Sequence, residues 1–245
     1  MGNNPLSTET LQPCGLLLID KPQGFTSNDV VAVARRALHT KCIGHSGTLD
    51  PMATGLLILL VGRSATRLQN QFLTLCKTYS ATLQLGVETD TWDAQGQVVK
   101  QLPVPALTLE QIRQATDQLT GAVQQPIPPF SAKKINGRKM YDLARQGQAI
   151  TDRFNTIEIF SWGELSYQNA QISFTLHCSC GTYVRSVALM LAKMLGTTGH
   201  LVALRRLSIG PFSVNGALPG EKLKTLSQPE IVQFLQAPIL DDKRE

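Results

Sequence analysis

The chain has 245 residues, 42% apolar and 17% charged, with a formal net charge of +5 and a pI near 9. This is a globular composition, long enough to bury a substantial core and free of repeats or low-complexity tracts, which sets aside fibrous, solenoid and disordered architectures. No apolar run approaches the ~20 residues of a spanning helix, no secretory signal pattern opens the chain, and five cysteines without CxxC spacing argue against a thiolate metal site and for a reducing, cytoplasmic setting.

Residues 1 to 13 are polar and read as a disordered tail. Gly15 to Pro22 reads as a buried strand stopped by proline. Thr26 with Asp29 forms a capping box ahead of Val30, Val31, Ala34 and Leu38, which predicts a short amphipathic helix. A glycine-rich loop from Gly44 to Gly55 precedes the apolar run Leu56 to Val61, a buried strand, and Ala65, Leu68, Phe72 and Leu75 recur at helical spacing. From Lys77 onward Tyr79, Ala81, Leu83 and Leu85 alternate with polar residues, the pattern of a half-buried strand. Residues 86 to 96 form a turn-rich connection whose acids read as partners of local backbone, with a divalent-metal site as the alternative.

Thr108 and Gln111 cap a second amphipathic helix. The following Gly/Pro-rich segment carries Lys133, Lys134, Arg138, Lys139 and Arg145, a cluster that suits either a solvated face or a phosphate-binding one. Alternation at Ile157 and Ile159 and again from Ile172 to Cys178 predicts two paired strands, with Cys178 and Cys180 spaced to share a face. The second strand leads through Gly181-Thr182-Tyr183-Val184-Arg185-Ser186 into a helix ending at Gly196. Leu201 to Leu207 includes the basic pair Arg205-Arg206, and Ser227 with Glu230 caps a last helix before the acidic tail at 241–245.

The loop around Asp50 stands out. Glycines admit backbone angles closed to other residues, and Pro51 holds Asp50 towards an extended conformation, so the loop is built to fix one side chain. An Asx-type turn, in which Asp50 bonds nearby amides, is the plain alternative. The stretch Gly44-His45-Ser46-Gly47-Thr48-Leu49-Asp50-Pro51-Met52-Ala53-Thr54-Gly55 closely resembles the signature loop of the TruB family of tRNA pseudouridine synthases. Further segments resemble that family in the same order: Leu18 to Pro22 with Gly24, Lys77-Thr78-Tyr79, Gly86 to Gly96, Phe130-Ser131-Ala132, Gly181 to Ser186, and Leu201 to Leu207.

The resemblance covers roughly residues 15 to 240 and implies an α+β pseudouridine synthase fold. That fold is a mixed, mostly antiparallel central sheet flanked by helices, with one catalytic domain over 14–240 and a thumb-like RNA-binding insertion over 121–150. Family members usually continue past the equivalent of Leu240 into a small RNA-binding module of the PUA type. The activity implied is isomerisation of uridine 55 in the TΨC arm of tRNA, with a possible accompanying role in tRNA folding. Asp50 matches the nucleophile, Arg185 the cation that orients it, and Tyr79 a residue that stacks on the base and reaches its C5 proton. His45, its ring expected to be exposed by a loop position with glycine on one side, matches the residue that enters the RNA stack as the base is flipped out. Tyr183 lies beside the base, and Leu204 supplies a backbone contact to it. Lys21, Lys133, Lys134, Arg205 and Arg206 are the expected phosphate contacts. No cofactor, metal, membrane or guide RNA is implied, and a monomer is expected.

One carboxylate fits such chemistry. Sugar hydrolases use two, to activate water and to protonate the leaving group. An isomerase keeps its leaving group, so Asp50 alone suffices, whether it attacks the ribose, attacks the ring or assists elimination.

Overall fold

The computed structural model of the chain describes residues 13–129, 134–135, 138–139 and 153–237. The polar tail, the Phe130-Ser131-Ala132 motif, most of the thumb-like insertion and the acidic tail lie outside the described residues.

The N-terminal part comprises β1 (Gly15–Lys21), α1 (Ser27–Ala37), β2 (Ile43–His45), β3 (Thr54–Val61), α2 (Gly62–Thr66) and α3 (Gln69–Thr74). Next come β4 (Lys77–Leu85), β5 (Val87–Thr89), β6 (Val98–Gln101), α4 (Leu109–Gln118), β7 (Gly121–Pro126), β8 (Lys134–Ile135) and β9 (Arg138–Lys139). The chain continues with β10 (Phe154–Gln168), β11 (Gln171–Cys178), α5 (Val184–Met194), β12 (Gly199–Ile209), β13 (Phe212–Ser213) and β14 (Leu218–Pro219). A 3-10 turn (Gly220–Lys224), α6 (Gln228–Val232) and β15 (Leu235–Gln236) close it.

The main sheet runs β14-β1-β3-β12-β4-β11-β10-β7, with β2 on β3, β13 on β12 and β15 on β1. Most neighbours are antiparallel; β1 with β14 and β3 with β12 are parallel. The sheet is therefore mixed and mostly antiparallel, with helices against it.

β3 explains its own unbroken apolar sequence. Leu57, Leu59 and Val61 pack on Val30, Val31, Ala34 and Leu38 of the α1 side, while Leu56, Ile58 and Leu60 meet Ala65 and Phe72 on the other face. Both faces are covered, so alternation disappears. β4 keeps strict alternation because one face is dry and the other half-exposed. A third cluster lies between the β4–β11–β10 sheet and helices α4 and α5, and it takes in Leu49, Met52 and Ala53 of the Asp50 loop.

The three capping boxes, Thr26 with Asp29, Thr108 with Gln111 and Ser227 with Glu230, all form. Three local expectations fail. The helix foreseen across Ala65 to Leu75 is two short helices, because Leu68 leaves helical geometry (φ −87°, ψ 2°) as the chain turns to bury Phe72 completely. Gly121 to Pro126 is a strand, β7, paired along its length with β10. β11 ends at Cys178, which is buried, and Cys180 is exposed on the following turn, so the two sulfurs do not share a strand face.

Candidate active site

The Asp50 loop is clamped through its backbone. The Ser27 hydroxyl accepts from the Leu49 amide at 2.8 Å, the Gly24 amide donates to the Pro51 carbonyl at 2.8 Å, and the Ala53 amide closes a turn on the Asp50 carbonyl at 3.0 Å. The Arg206 guanidinium donates to the Leu56 carbonyl at 2.7 Å and to the Gly47 carbonyl at 3.2 Å, so one side chain holds both flanks of the loop. Gly55 has φ +98°, and a Cβ there would sit 2.2 Å from the Arg206 carbonyl oxygen, which is why β3 can come alongside β12 only with glycine at this position.

Arg185 enters from the first turn of α5. Its Nε donates to Asp50 Oδ2 at 2.8 Å and its Nη2 to Asp50 Oδ1 at 3.2 Å, a two-point grip on the carboxylate. Its Nη1 donates to the Thr91 carbonyl at 2.7 Å, and Asp93 Oδ2 lies 3.7 Å from Nε. Arg185 is only 3% exposed, whereas the Asp50 side chain is 31% exposed and reaches solvent. Asp93 is itself held by the Thr91 hydroxyl at 2.6 Å and the Gln95 amide at 3.0 Å.

Tyr79 and Arg206 are register partners on β4 and β12, with Leu204 opposite Ala81. The Arg206 guanidinium reaches the Tyr79 hydroxyl as well as the loop carbonyls. Burial raises the Tyr79 phenol above its ordinary range, so it stays protonated, and burial lowers the Arg206 guanidinium. A cavity of about 270 Å³ opens here, walled by Asp50, Tyr79, Tyr183, Arg185, Leu204 and Lys77 with the Ser46 to Leu49 backbone nearby. It is large enough for a planar heterocyclic base and offers a carboxylate, two aromatic rings, apolar wall and buried cations.

Asp50, Tyr79, Tyr183, Arg185 and Leu204, far apart in sequence, thus surround one cavity. Other site expectations need correction. Lys21 is fully buried rather than a phosphate contact: its ammonium donates to the carbonyls of Phe25 at 2.6 Å and Pro22 at 2.9 Å, and reaches that of Pro51 at 3.5 Å. Burial pushes its pKa down to about 8 despite the nearby Asp50 charge. Arg206 is 1% exposed and serves the loop and Tyr79, so no phosphate reaches it. Arg205 is 40% exposed on its side chain but grips Asp20 with two bonds, at 2.7 and 2.9 Å. His45 is half-buried in β2, not an exposed ring; its Nδ1 accepts from the Gly47 amide at 3.2 Å, and burial lowers its pKa. Lys133 lies outside the described residues, and Lys134 is described only by its backbone pairing with Lys139.

Two residues of the site escaped sequence reasoning. Asp93 looked like a turn acid, and it does bind its own turn, yet it also faces Arg185. Lys77 is 6% exposed, its ammonium donating to the carbonyls of Leu73 at 2.8 Å and Leu75 at 2.5 Å. Its place two residues before Tyr79, on the same face of an alternating strand, is the signal that marks it as a cavity residue.

Residues 35–184 match the TruB family pseudouridylate synthase (N terminal domain). A protein named tRNA pseudouridine synthase B from Chlamydia trachomatis serovar L2 is 41% identical over 238 residues, covering 97% of this chain and 94% of its own length. One of the same name from Protochlamydia amoebophila is 44% identical over 228 residues, covering 93% and 86%. Among solved structures, a chain of a Cbf5-Nop10-Gar1 complex superposes with a TM-score of 0.71 at 23% identity, over 92% of this chain and 60% of that one, a likeness of fold.

Proposed function

The chain belongs to the TruB family of pseudouridylate synthases, and from that premise we propose that it converts uridine 55 in the TΨC arm of tRNA to pseudouridine, acting on bare tRNA without a guide RNA. The observation that carries this reading is the two-point Arg185 grip on Asp50 at the mouth of a base-sized cavity beside Tyr79. The name borne by the bacterial relatives supports tRNA as the substrate.

In the proposed reaction the uridine leaves its stack and enters the cavity. The C1′–N1 bond breaks, with its electron pair going to the uracil ring; the ring turns, C5 bonds to C1′, the C5 proton is lost and N1 gains one. Nothing is oxidised or reduced. Asp50 supplies the carboxylate that attacks or assists, and Arg185 holds it in one rotamer by two hydrogen bonds. Tyr79 and Tyr183 flank the base, and Leu204 supports it from β12. Arg205, in exchange for Asp20, meets the RNA backbone. The reading takes the protein as a cytoplasmic monomer.

The test is incubation of unmodified transcribed tRNA with the purified protein, followed by nucleoside mapping. Pseudouridine at position 55 is expected, and its absence at low salt refutes the proposal. Asp50→Asn is expected to abolish product while leaving tRNA affinity within about threefold, which also separates catalysis from any folding assistance the protein gives its substrate.

A further inference from the structure

Two cations in the cavity wall have no carboxylate partner among the described residues. Lys77 and Arg206 make no ion pair there, although both are more than nine-tenths buried. Burial lowers the pKa of each and the Arg206 charge lowers that of Lys77 further; the groups that face Lys77 are the Cys76, Cys178 and Cys180 thiols together with Arg206. The guanidinium faces Tyr79, Asp50, and the carbonyls of Leu56 and Gly47. Burying a charge is costly, and burying two like charges near each other without counter-ions is a strain that packing alone does not explain. Nor does the ammonium exhaust itself on protein: two carbonyls accept from it, leaving a third N–H without a protein acceptor among the described residues.

Such a site is electrostatically complete only with an anion in the cavity. A backbone phosphate is the obvious anion of an RNA, but the depth of the two groups argues against it. Asp50 is 31% exposed, whereas Lys77 and Arg206 are 6% and 1% exposed, so both lie deeper than the reacting carboxylate. What passes Asp50 into the cavity is the base, and the base is neutral until its bond to C1′ breaks. It then carries the electron pair of that bond across its ring nitrogens and carbonyl oxygens.

We propose that Lys77, directly, and Arg206, as a positioning residue acting through the Tyr79 hydroxyl, stabilise the departing uracil as its ring anion, and that this is their function in the reaction. The guanidinium lies beside the phenol of its cross-strand partner, and a phenol whose oxygen accepts from that cation keeps its own proton for another acceptor, here the base. The positive field comes from two buried side chains and is fixed before substrate arrives, so that it favours the charge that develops on bond breaking over the neutral ground state. The proposal rests on the assigned isomerisation.

The experiment compares tRNA carrying uridine with tRNA carrying 6-azauridine at the target position, under single turnover. The aza ring retains its C5 hydrogen and forms the more stable anion. Lys77→Gln keeps a neutral donor for the Leu73 and Leu75 carbonyls, and Lys77→Arg keeps the charge. In Lys77→Gln, C1′–N1 cleavage of uridine is expected to slow at least tenfold, cleavage of 6-azauridine to slow at most threefold, and tRNA affinity to hold within threefold. Lys77→Arg is expected to retain the wild-type ratio of the two rates. Equal slowing of both substrates by Lys77→Gln, or a loss of affinity parallel to the loss of rate, overturns the proposal. Should Lys77→Gln not fold, wild-type protein decides: with the field in place its two rates should differ by less than threefold, and a difference of tenfold or more overturns the proposal. If wild-type protein forms no pseudouridine at all, the assigned function has failed rather than this inference.

Discussion

Arg185→Lys keeps a cation at the start of α5 but removes the planar fork. In the native site three donors are engaged: Nε and Nη2 with the two Asp50 oxygens at 2.8 and 3.2 Å, and Nη1 with the Thr91 carbonyl at 2.7 Å. An ammonium on a shorter reach satisfies one of them, so two are lost. Hydrogen bonds to charged groups contribute about 1.5–3 kcal/mol each, and the 31% exposure of Asp50 lets water replace part of that. A loss of about 3–4 kcal/mol in holding the carboxylate follows, which at ~1.36 kcal/mol per decade is a fall of roughly 10²–10³-fold in the single-turnover rate. Because Arg185 is 3% exposed, it contacts no phosphate, and tRNA affinity measured by filter binding should stay within about threefold. A rate within threefold of wild type, or a parallel collapse of affinity, would refute the view that Arg185 works by orienting Asp50.

Gly55→Ala forces a Cβ against the Arg206 backbone and should destabilise by ~3 kcal/mol or more in denaturant melts, whereas Gly44→Ala, which meets only ordinary contacts, should stay within ~1 kcal/mol. Arg205→Gln should lower the slope of log affinity against log salt for tRNA by about one, and Asp20→Asn, which frees Arg205, should raise affinity while altering stability by less than ~1 kcal/mol. An unchanged slope would remove Arg205 from the RNA interface. Lys21 has a folded pKa of about 8, below its ordinary 10.5. Between those values the unfolded chain binds more protons, so the stability of wild type relative to Lys21→Met should rise as pH increases from about 8 to 10.5 and be flat below that window. Paired chemical melts at pH 7 and pH 10 measure it, and a fall would show that the ammonium, not burial, dominates.

Much of the fold was legible where local rules and tertiary packing agree. The run from Leu56 to Val61 announced a strand covered on both faces, and the capping boxes at Thr26, Thr108 and Ser227 announced helix starts. The convergence of Asp50, Tyr79, Tyr183, Leu204 and Arg185 followed from resemblance to a family, since nothing in spacing alone brings four such distant segments together. The errors concern charged side chains. The resemblance led to Lys21 and Arg206 being expected at phosphates, but a cation satisfied by backbone carbonyls leaves no trace in sequence: its acceptors are groups every residue carries. Arg205 and Arg206 are neighbours with opposite fates because a strand sends consecutive side chains to opposite faces. Asp93 was read as a turn residue because its bonds within the turn are real, and its second partner arrives from α5.

The parallel contact between β3 and β12 consists of only two register pairs, Arg205 with Thr54 and Arg206 with Gly55. On one side lie the β1–β3 strands with α1, and on the other the β4–β11–β10–β7 sheet with α4 and α5. Asp50 belongs to the first side, whereas Tyr79, Arg185 and Arg206 belong to the second, and Leu49, Met52 and Ala53 reach across as a peg into the far core. The reactive group and its partners meet only when the two halves dock. Closing a contact between residues as distant in the chain as Asp50 and Arg185 costs loop-closure entropy that local strands and helices avoid. Recovery of activity during refolding should therefore lag recovery of secondary structure, making the enzyme's own reaction a clock for the docking of its halves.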